Sequence, residues 1–160
     1  PWEDGFFDAI FCGQVIEHLF DPDHLLDEIY RTLSPRGVCV IDTPNLASLP
    51  NRVALLFGAQ PYATAVSLRH TVGRIGRKGL NATDHIRVFT FRAFKELVLL
   101  HDFRILNTQR VTASDNMEHP FPFPVRVVER AIALVPSLAF HIQFVLGKGV
   151  SPNPVRRERK

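Results

Sequence analysis

The feature that most constrains the fold is a pair of short apolar runs separated by a helical pattern. The runs extend from Phe6 to Gly13 and from Val38 to Thr43, and both are typical of strands that are buried on both faces. Between them, Asp21-Pro22 supplies an N-cap followed by a proline at the first helical position, and apolar residues recur at helical spacing up to Leu33. Two buried strands joined by a helix predict a right-handed parallel βαβ unit.

The rest of the chain continues the alternation of helices and strands. Ser34-Pro35-Arg36-Gly37 is expected to end the first helix and turn the chain. The period of apolar residues predicts helices over 46–57, 91–101 (capped by Thr90) and 125–135, and strands over 103–111 and 138–146. Residues 58–87 and 114–124 show no clear period and are predicted loops. The last two strands are expected to pair closely with each other, which suggests a mixed sheet with an antiparallel edge.

The composition is that of an ordinary globular protein. The 160 residues are 46% hydrophobic and 22% charged, which excludes a disordered chain, a collagen and a disulfide scaffold. No uncharged apolar run approaches the roughly 18 residues that a membrane-spanning helix needs. Cys12 and Cys39 both lie in strand-like runs, so we expect reduced, buried thiols and a cytoplasmic location.

The formal net charge of +3 is distributed unevenly along the chain. Residues 1–34 carry eight acids and a single base, Arg31, whereas basic residues cluster at 69–78 and in the tail at 149–160. A basic chain can bind nucleic acid, but no aromatic platform lies among these bases. We therefore favour a solvated loop and a disordered basic tail, and we expect no nucleic-acid partner.

Candidate site residues follow the two strands of the βαβ unit. In open α/β sheets a ligand lies beyond the carboxyl ends of the strands, which here are Cys12-Gly13-Gln14 and Thr43-Pro44-Asn45. Gly13 permits close approach of a ligand to the backbone, and Gln14 offers an amide. The same two residues also suit a simple turn, so their spacing leaves both interpretations open.

Glu17-His18 is the other polar pair near this strand end. Histidine suits a general base because it titrates near neutral pH, although a bond from His18 to the backbone of a turn is the more frequent role. No second histidine stands four residues on, as a zinc protease requires, and we expect no metal. The chain also lacks a glycine-rich dinucleotide fingerprint after a strand and a phosphate-binding loop.

The order and spacing of these motifs resemble the class I S-adenosylmethionine-dependent methyltransferases of the ubiquinone-biosynthesis-like type. The resemblance is dense over residues 1–45 and looser from His85 to the turn at Asp102-Phe103. It is carried by these segments: Pro1-Trp2-Glu3-Asp4-Gly5-Phe6-Phe7-Asp8-Ala9-Ile10, Val15-Ile16-Glu17-His18-Leu19, Asp21-Pro22, Leu25-Leu26-Asp27-Glu28, Arg31-Thr32-Leu33-Ser34-Pro35-Arg36-Gly37, Val40-Ile41-Asp42-Thr43-Pro44-Asn45 and His85-Ile86-Arg87-Val88-Phe89-Thr90.

The resemblance implies S-adenosylmethionine as cofactor and methyl transfer to a small-molecule acceptor. It places Gly13, Gln14 and Val15 against the methionine end of the cofactor. It makes His18 the candidate base, and it puts Asn45 and His85 on the substrate side. Methyl transfer is a direct displacement whose rate depends mainly on how the methyl donor and the acceptor are aligned. The lack of an obvious catalytic constellation in the sequence therefore agrees with this reaction.

The implied fold is a Rossmann-like class I methyltransferase sheet, of which this chain carries the C-terminal half, strands four to seven, as a mixed sheet with an antiparallel edge. Residues 1–148 then form the C-terminal part of one methyltransferase domain. The glycine-rich loop and the ribose-binding acid of the family are not found in the sequence. We therefore expect the 160-residue piece to be inactive and poorly soluble, with residues 6–13 as an exposed apolar edge.

A non-catalytic module of the same fold that binds a partner through its loops is the alternative. The apolar residues of 46–87 suggest a lid for a partly apolar acceptor or simple packing on the sheet. The bases at 69–78 could bind an anionic group. Residues 121–135 combine aromatic and basic residues, so contact with a membrane surface is a weaker alternative to a helix packed on the sheet. The oligomeric state stays open.

Overall fold

The computed structural model describes residues 2–62, 64–75, 85–111, 127, 130–132 and 134–149; side-chain placement is described for these except at 110 and 111. The helices are α1 (Pro22–Thr32), α2 (Leu49–Leu56) and α3 (Phe91–Leu100), with short 3₁₀ turns at Ile16–His18 and Pro136–Leu138. The strands are β1 (Phe7–Gly13), β2 (Leu33–Pro44), β3 (Phe103–Val111) and β4 (His141–Lys148). The predicted basic tail and the loop at 114–124 lie outside the described residues, as does most of the predicted helix at 125–135.

The four strands form one mixed sheet in the order β1-β2-β4-β3. β1 and β2 are parallel, as expected for strands joined by α1, while β4 pairs antiparallel with both β2 and β3. The antiparallel strand is thus inserted between two strands that run the same way. This arrangement confirms the predicted mixed α/β sheet and places the carboxyl ends of β1 and β2 beside the start of β4.

Local sequence signals account for the helix boundaries. Oδ1 of Asp21 accepts a 2.9 Å hydrogen bond from the amide of His24, and Pro22 follows as the first helical residue. In the same way, Oγ1 of Thr90 accepts a 3.2 Å bond from the amide of Ala93. Both predicted caps are therefore confirmed. The second helix begins at Leu49 rather than near Leu46, because Asn45 and Leu46 are held by backbone bonds to Phe140 and Phe89.

The expected turn at Ser34–Gly37 takes a different form. α1 ends at Thr32 and β2 begins at once with Leu33, so residues 34–37 lie inside β2. The register with β1 nevertheless jumps there, since Phe7 is opposite Leu33 and Ala9 is opposite Val38. The proline and glycine thus produce a bulge within a strand instead of a separate turn.

The core lies between one face of the sheet and helices α1 and α3. Phe94, Val98 and Leu26 from the helices pack with apolar residues of β2 and β4, and all three are fully buried. The prediction that β1 is buried on both faces is wrong for the described structure. Phe11 is 74% exposed, because no described element covers the face of β1 that carries it, whereas Cys12 points to the core. β1 is an edge strand of the described sheet, as expected.

Candidate functional site

Polar residues from four segments meet at the carboxyl ends of β1 and β2. Gln14 leaves β1 in the left-handed conformation, with φ of 53°, a geometry that costs a non-glycine residue about 1–2 kcal/mol. Its backbone amide donates a 3.2 Å bond to the carbonyl of Asp42, which anchors the turn to β2. The expected turn after β1 is thus present, and it carries the side chain of Gln14 back over the strand ends.

The side chain of Gln14 connects β1 to β2 and β4. Its Nε2 donates to Oδ2 of Asp42 over 2.6 Å and lies 3.1 Å from Nδ1 of His141. Nε2 is a donor only, so Nδ1 of His141 is the acceptor in this contact. Asp42 and His141 are both buried, and Oδ2 of Asp42 lies 3.8 Å from Nδ1 of His141.

Gly13 is required by the close approach of the Asp42 carboxylate. A Cβ atom at this position would lie 2.8 Å from Oδ1 of Asp42 and 2.7 Å from the ring of Phe11. Gly13 therefore lets the carboxylate pack against the backbone of β1. Gln14 and Val15, which follow it, are exposed at the edge of the sheet and form an accessible wall.

Glu17, His18 and His85 form a second cluster. Glu17 is 1% exposed; its Oε2 accepts a 3.1 Å bond from Oγ1 of Thr43, and its Oε1 lies 4.0 Å from Nε2 of His18. The rings of His18 and His85 meet edge to face with centroids 4.8 Å apart. One ligand atom from each of the three side chains lies within 4.8 Å of the others, so the cluster has the donor set and compactness to hold a divalent cation.

The backbone of Glu17 brings His85 to this cluster. Its carbonyl accepts bonds from the amides of Ile86 (2.8 Å) and Arg87 (2.9 Å), which tie the segment after the long loop to the turn after β1. Arg87 also donates to the carbonyl of Phe20 over 2.8 Å. The buried residue Glu17 thus positions both His18 and His85.

Asn45, a predicted substrate-side residue, bonds to other parts of the chain through its side chain. It is fully buried, its Nδ2 donates to the carbonyls of Ser137 and Ala139, and its Oδ1 accepts from the amide of Ala47. Both amide protons are used inside the chain. The geometry makes Asn45 a residue that fastens β2 to the segment before β4, and its role toward a substrate stays a prediction.

The two cysteines are held as thiols. Burial raises the pKa of Cys12 to about 11, assisted by the carboxylates of Glu17 and Asp42. Burial also raises the pKa of Cys39 to about 12, with Cys12 adding to the effect. The expectation of buried, unpaired thiols is confirmed, and neither sulfur suits a nucleophile at neutral pH.

Sequence reasoning had singled out Gln14, Glu17, His18 and His85, and the structure brings these four to one edge of the sheet. It did not single out Asp42 or His141. Asp42 is a polar residue at the end of an apolar strand, a signal that was present in the sequence. His141 carried no local signal, because it reaches the site only through the antiparallel pairing of β4 with β2.

Known proteins similar to this chain include methyltransferases. Residues 1–41 match a family described as a methyltransferase domain. Ubiquinone biosynthesis O-methyltransferase of Psychrobacter cryohalolentis is 42% identical over 41 residues, which cover 26% of this chain and 16% of that protein. A protein of Mycolicibacterium smegmatis named "probable S-adenosylmethionine-dependent methyltransferase" is 30% identical over 111 residues, or 68% of this chain and 42% of that protein. The chain spans less than half the length of these curated relatives.

Solved structures show the same fold. The complex of the Haloferax volcanii Trm112 methyltransferase activator with its methyltransferase matches with a TM-score of 0.54 and 14% identity, over 96% of this chain and 58% of that one. A Thermotoga maritima S-adenosylmethionine-dependent methyltransferase matches with a TM-score of 0.52 and 17% identity, over 92% and 59%. The fold is therefore that of a class I methyltransferase sheet. By sequence and architecture the chain is a relative of the class I S-adenosylmethionine-dependent methyltransferases, and S-adenosylmethionine is the cofactor that this match supports.

Among the described residues, no helix is both long enough and apolar enough to cross a membrane.

Proposed function

We propose that this protein takes part in methyl transfer from S-adenosylmethionine to a small-molecule acceptor. The observation that carries the proposal is the placement of two polar groups at the carboxyl ends of parallel strands, in a chain whose residues 1–41 match a methyltransferase domain. Gln14 bonds Asp42 in the first group, and Glu17 lies with His18 and His85 in the second. The exposed wall of Gln14 and Val15 fits the methionine end of the cofactor, because nothing described covers it.

Bound S-adenosylmethionine supplies an electrophilic methyl group, and S-adenosylhomocysteine is the leaving group. Asp42 and His141 hold the side chain of Gln14, so the wall against the cofactor is preorganised. His18 is the proposed base: its imidazole accepts the proton that an acceptor hydroxyl or amine loses as the new bond to carbon forms. The buried carboxylate of Glu17, 4.0 Å away, stabilises the resulting imidazolium.

Calorimetric titration of the full-length protein with S-adenosylmethionine tests whether the protein binds the cofactor. Transfer of a labelled methyl group to an acceptor tests whether it catalyses the reaction. We expect His18→Ala to lower kcat about 100-fold or more while cofactor affinity stays within twofold. His24→Ala is the control, since His24 is an exposed residue of α1. No heat of binding in the full-length protein would contradict the proposal.

A partner-binding module without catalysis is the second candidate. The structural match to a methyltransferase in complex with the Trm112 activator gives it support, as that neighbour works with a protein partner. A full-length protein that forms a stable complex with a protein and binds no S-adenosylmethionine would favour this candidate.

A further inference from the structure

The side-chain amide of Gln14 donates its hydrogen bonds into the protein. Its Nε2 lies 2.6 Å from Oδ2 of Asp42 and 3.1 Å from Nδ1 of His141. An amide NH2 group has two protons to donate, and a carboxylate oxygen only accepts. Both amide protons of Gln14 are therefore used inside the protein, one toward β2 and the other toward β4.

This arrangement selects one of the two orientations of the amide. If the amide were turned over, Oε1 of Gln14 would face an oxygen of Asp42, and no proton would lie between the two acceptors. Asp42 and His141 are buried, whereas Gln14 is exposed. Among the described residues, none donates a hydrogen bond to Oε1 of Gln14. The carbonyl oxygen is thus the polar atom of this side chain that is left for a ligand.

The neighbouring strands fix the place of this amide. Gln14 has a φ of 53°, and its backbone amide donates a 3.2 Å bond to the carbonyl of Asp42. Gly13 lets the carboxylate of Asp42 approach, since a Cβ atom there would lie 2.8 Å from Oδ1. His141 lies opposite Pro44 in the antiparallel pairing of β4 with β2. The sheet therefore sets both the start of the side chain and its two acceptors.

We propose that Asp42 and His141 are positioning residues that turn the carbonyl oxygen of Gln14 outward, so that it accepts a hydrogen bond from the ammonium group of S-adenosylmethionine. The inference rests on the proposed function, in which Gln14 forms part of the wall against the methionine end of the cofactor. That end carries an ammonium and a carboxylate, and an outward NH2 group would favour the carboxylate instead. The orientation of one amide thus decides which charged group of the cofactor it contacts.

The contact with His141 also makes this orientation depend on pH. Nδ1 of His141 accepts only while it carries no proton, and imidazole takes up a proton near neutral pH. Among the described residues, Asp42 is the charged group that interacts with His141, and its Oδ2 lies 3.8 Å from Nδ1. An imidazolium of His141 pairs with Asp42 and repels the NH2 group of Gln14, which then turns outward. We therefore expect binding of S-adenosylmethionine to weaken in acid.

Calorimetric titration of the full-length protein with S-adenosylmethionine, at a pH where imidazole is neutral, tests the positioning. The double variant D42N/H141L removes both fixed acceptors, and we expect it to bind about tenfold more weakly. His141→Asn is the matched variant, because Oδ1 of asparagine accepts in place of Nδ1, and it should bind like the wild type. His70→Leu, at an exposed loop position, is the control and should have no effect.

Two measurements separate positioning from a general loss of structure. The first uses S-adenosylhomocysteine and an analogue in which hydrogen replaces its ammonium group. The wild type should bind the analogue about tenfold more weakly, whereas D42N/H141L should bind the two alike. The second is the pH dependence of binding: the wild type should lose affinity severalfold as imidazole becomes protonated, and His141→Asn should not. Should circular dichroism show that D42N/H141L is unfolded, Gln14→Met, at an exposed position, takes its place in the first measurement.

The outcomes distinguish this inference from the proposed function. A wild-type protein that binds no S-adenosylmethionine would overturn both. If the wild type binds the cofactor but discriminates against the analogue no better than D42N/H141L does, the proposed function stands and the positioning role is wrong. An equal loss of affinity in acid for the wild type and His141→Asn would likewise show that His141 does not set the orientation of the amide.

Discussion

Gln14 donates a 2.6 Å hydrogen bond from its side-chain amide to Oδ2 of Asp42, and so joins the ends of two parallel strands. The bond is charge-assisted and half-buried, and it accompanies a left-handed backbone at Gln14. The turn after β1 therefore depends on a residue of β2 that lies 28 positions later in the chain. The first prediction concerns this bond.

Replacing Asp42 with Ala should lower the free energy of unfolding by about 1.5–3 kcal/mol, because Gln14 loses a charged acceptor. Asp42→Asn should cost less, since a neutral acceptor remains. Urea denaturation measures both, with Asp8→Ala as the control: Asp8 is an exposed residue of β1 that accepts only a surface bond from Ser34. Equal losses for Asp42→Ala and Asp8→Ala would show that the half-buried bond to Gln14 contributes no more than a surface bond.

Added Zn²⁺ should bind the cluster of Glu17, His18 and His85 and block methyl transfer, because it would occupy the imidazole that we propose as the base. We expect Glu17→Gln to weaken binding strongly while the fold is retained, because a glutamine can still accept the bond from Thr43. Isothermal titration after treatment with a chelator provides the measurement. His24→Ala serves as a histidine control, and binding that survives both Glu17→Gln and His85→Ala would place the ion elsewhere.

His101 links the end of α3 to α1. Its Nε2 lies 2.9 Å from Oδ1 of Asp23 and its Nδ1 lies 3.0 Å from Oδ1 of Asp27. His101→Ala should therefore lower the free energy of unfolding by about 1–2 kcal/mol. The loss of two fully buried hydrogen bonds would cost more, but both carboxylates are partly exposed to solvent. The melting temperature of this variant is compared with that of His70→Ala, which changes an exposed loop residue. Identical melting temperatures would show that the contacts of His101 with Asp23 and Asp27 do not stabilise the fold.

The buried thiols predict how stability changes in alkali. Burial raises the pKa of Cys12 from 9.0 to about 11 in the folded state, so the unfolded chain loses this proton first. The stabilisation that results from the raised pKa of Cys12 is complete below pH 9 and is lost as the pH rises through about 11. The raised pKa of Cys39 changes stability in the same direction. We expect the urea midpoint of the wild type to fall over this range more steeply than that of a Cys12→Ala/Cys39→Ala variant.

Reactivity toward a thiol reagent gives an independent measurement of the same burial. At pH 8 both thiols should react slowly in the folded protein and fast in denaturant. Fast reaction of the native protein would mean that β1 and β2 separate readily.

Much of this fold could be predicted from local pattern alone. The caps at Asp21 and Thr90, the strands on either side of α1 and the mixed sheet all follow from residues that are close in sequence, because capping bonds and apolar periodicity act within a few positions. Glu17 and His18 likewise follow β1 within a few residues, so their place near the carboxyl end of that strand could be predicted.

Only the tertiary structure decided which side chains meet there. His141 joins Gln14 because β4 runs antiparallel beside β2, and His85 reaches His18 because two amides bond the carbonyl of Glu17. Long-range bonds to the segment before β4 likewise hold the side chain of Asn45 inside the protein. Sequence by itself determined the elements and their order, since these depend on neighbouring residues. The register and the hydrogen bonds between distant segments determined the site, because they depend on the whole sheet.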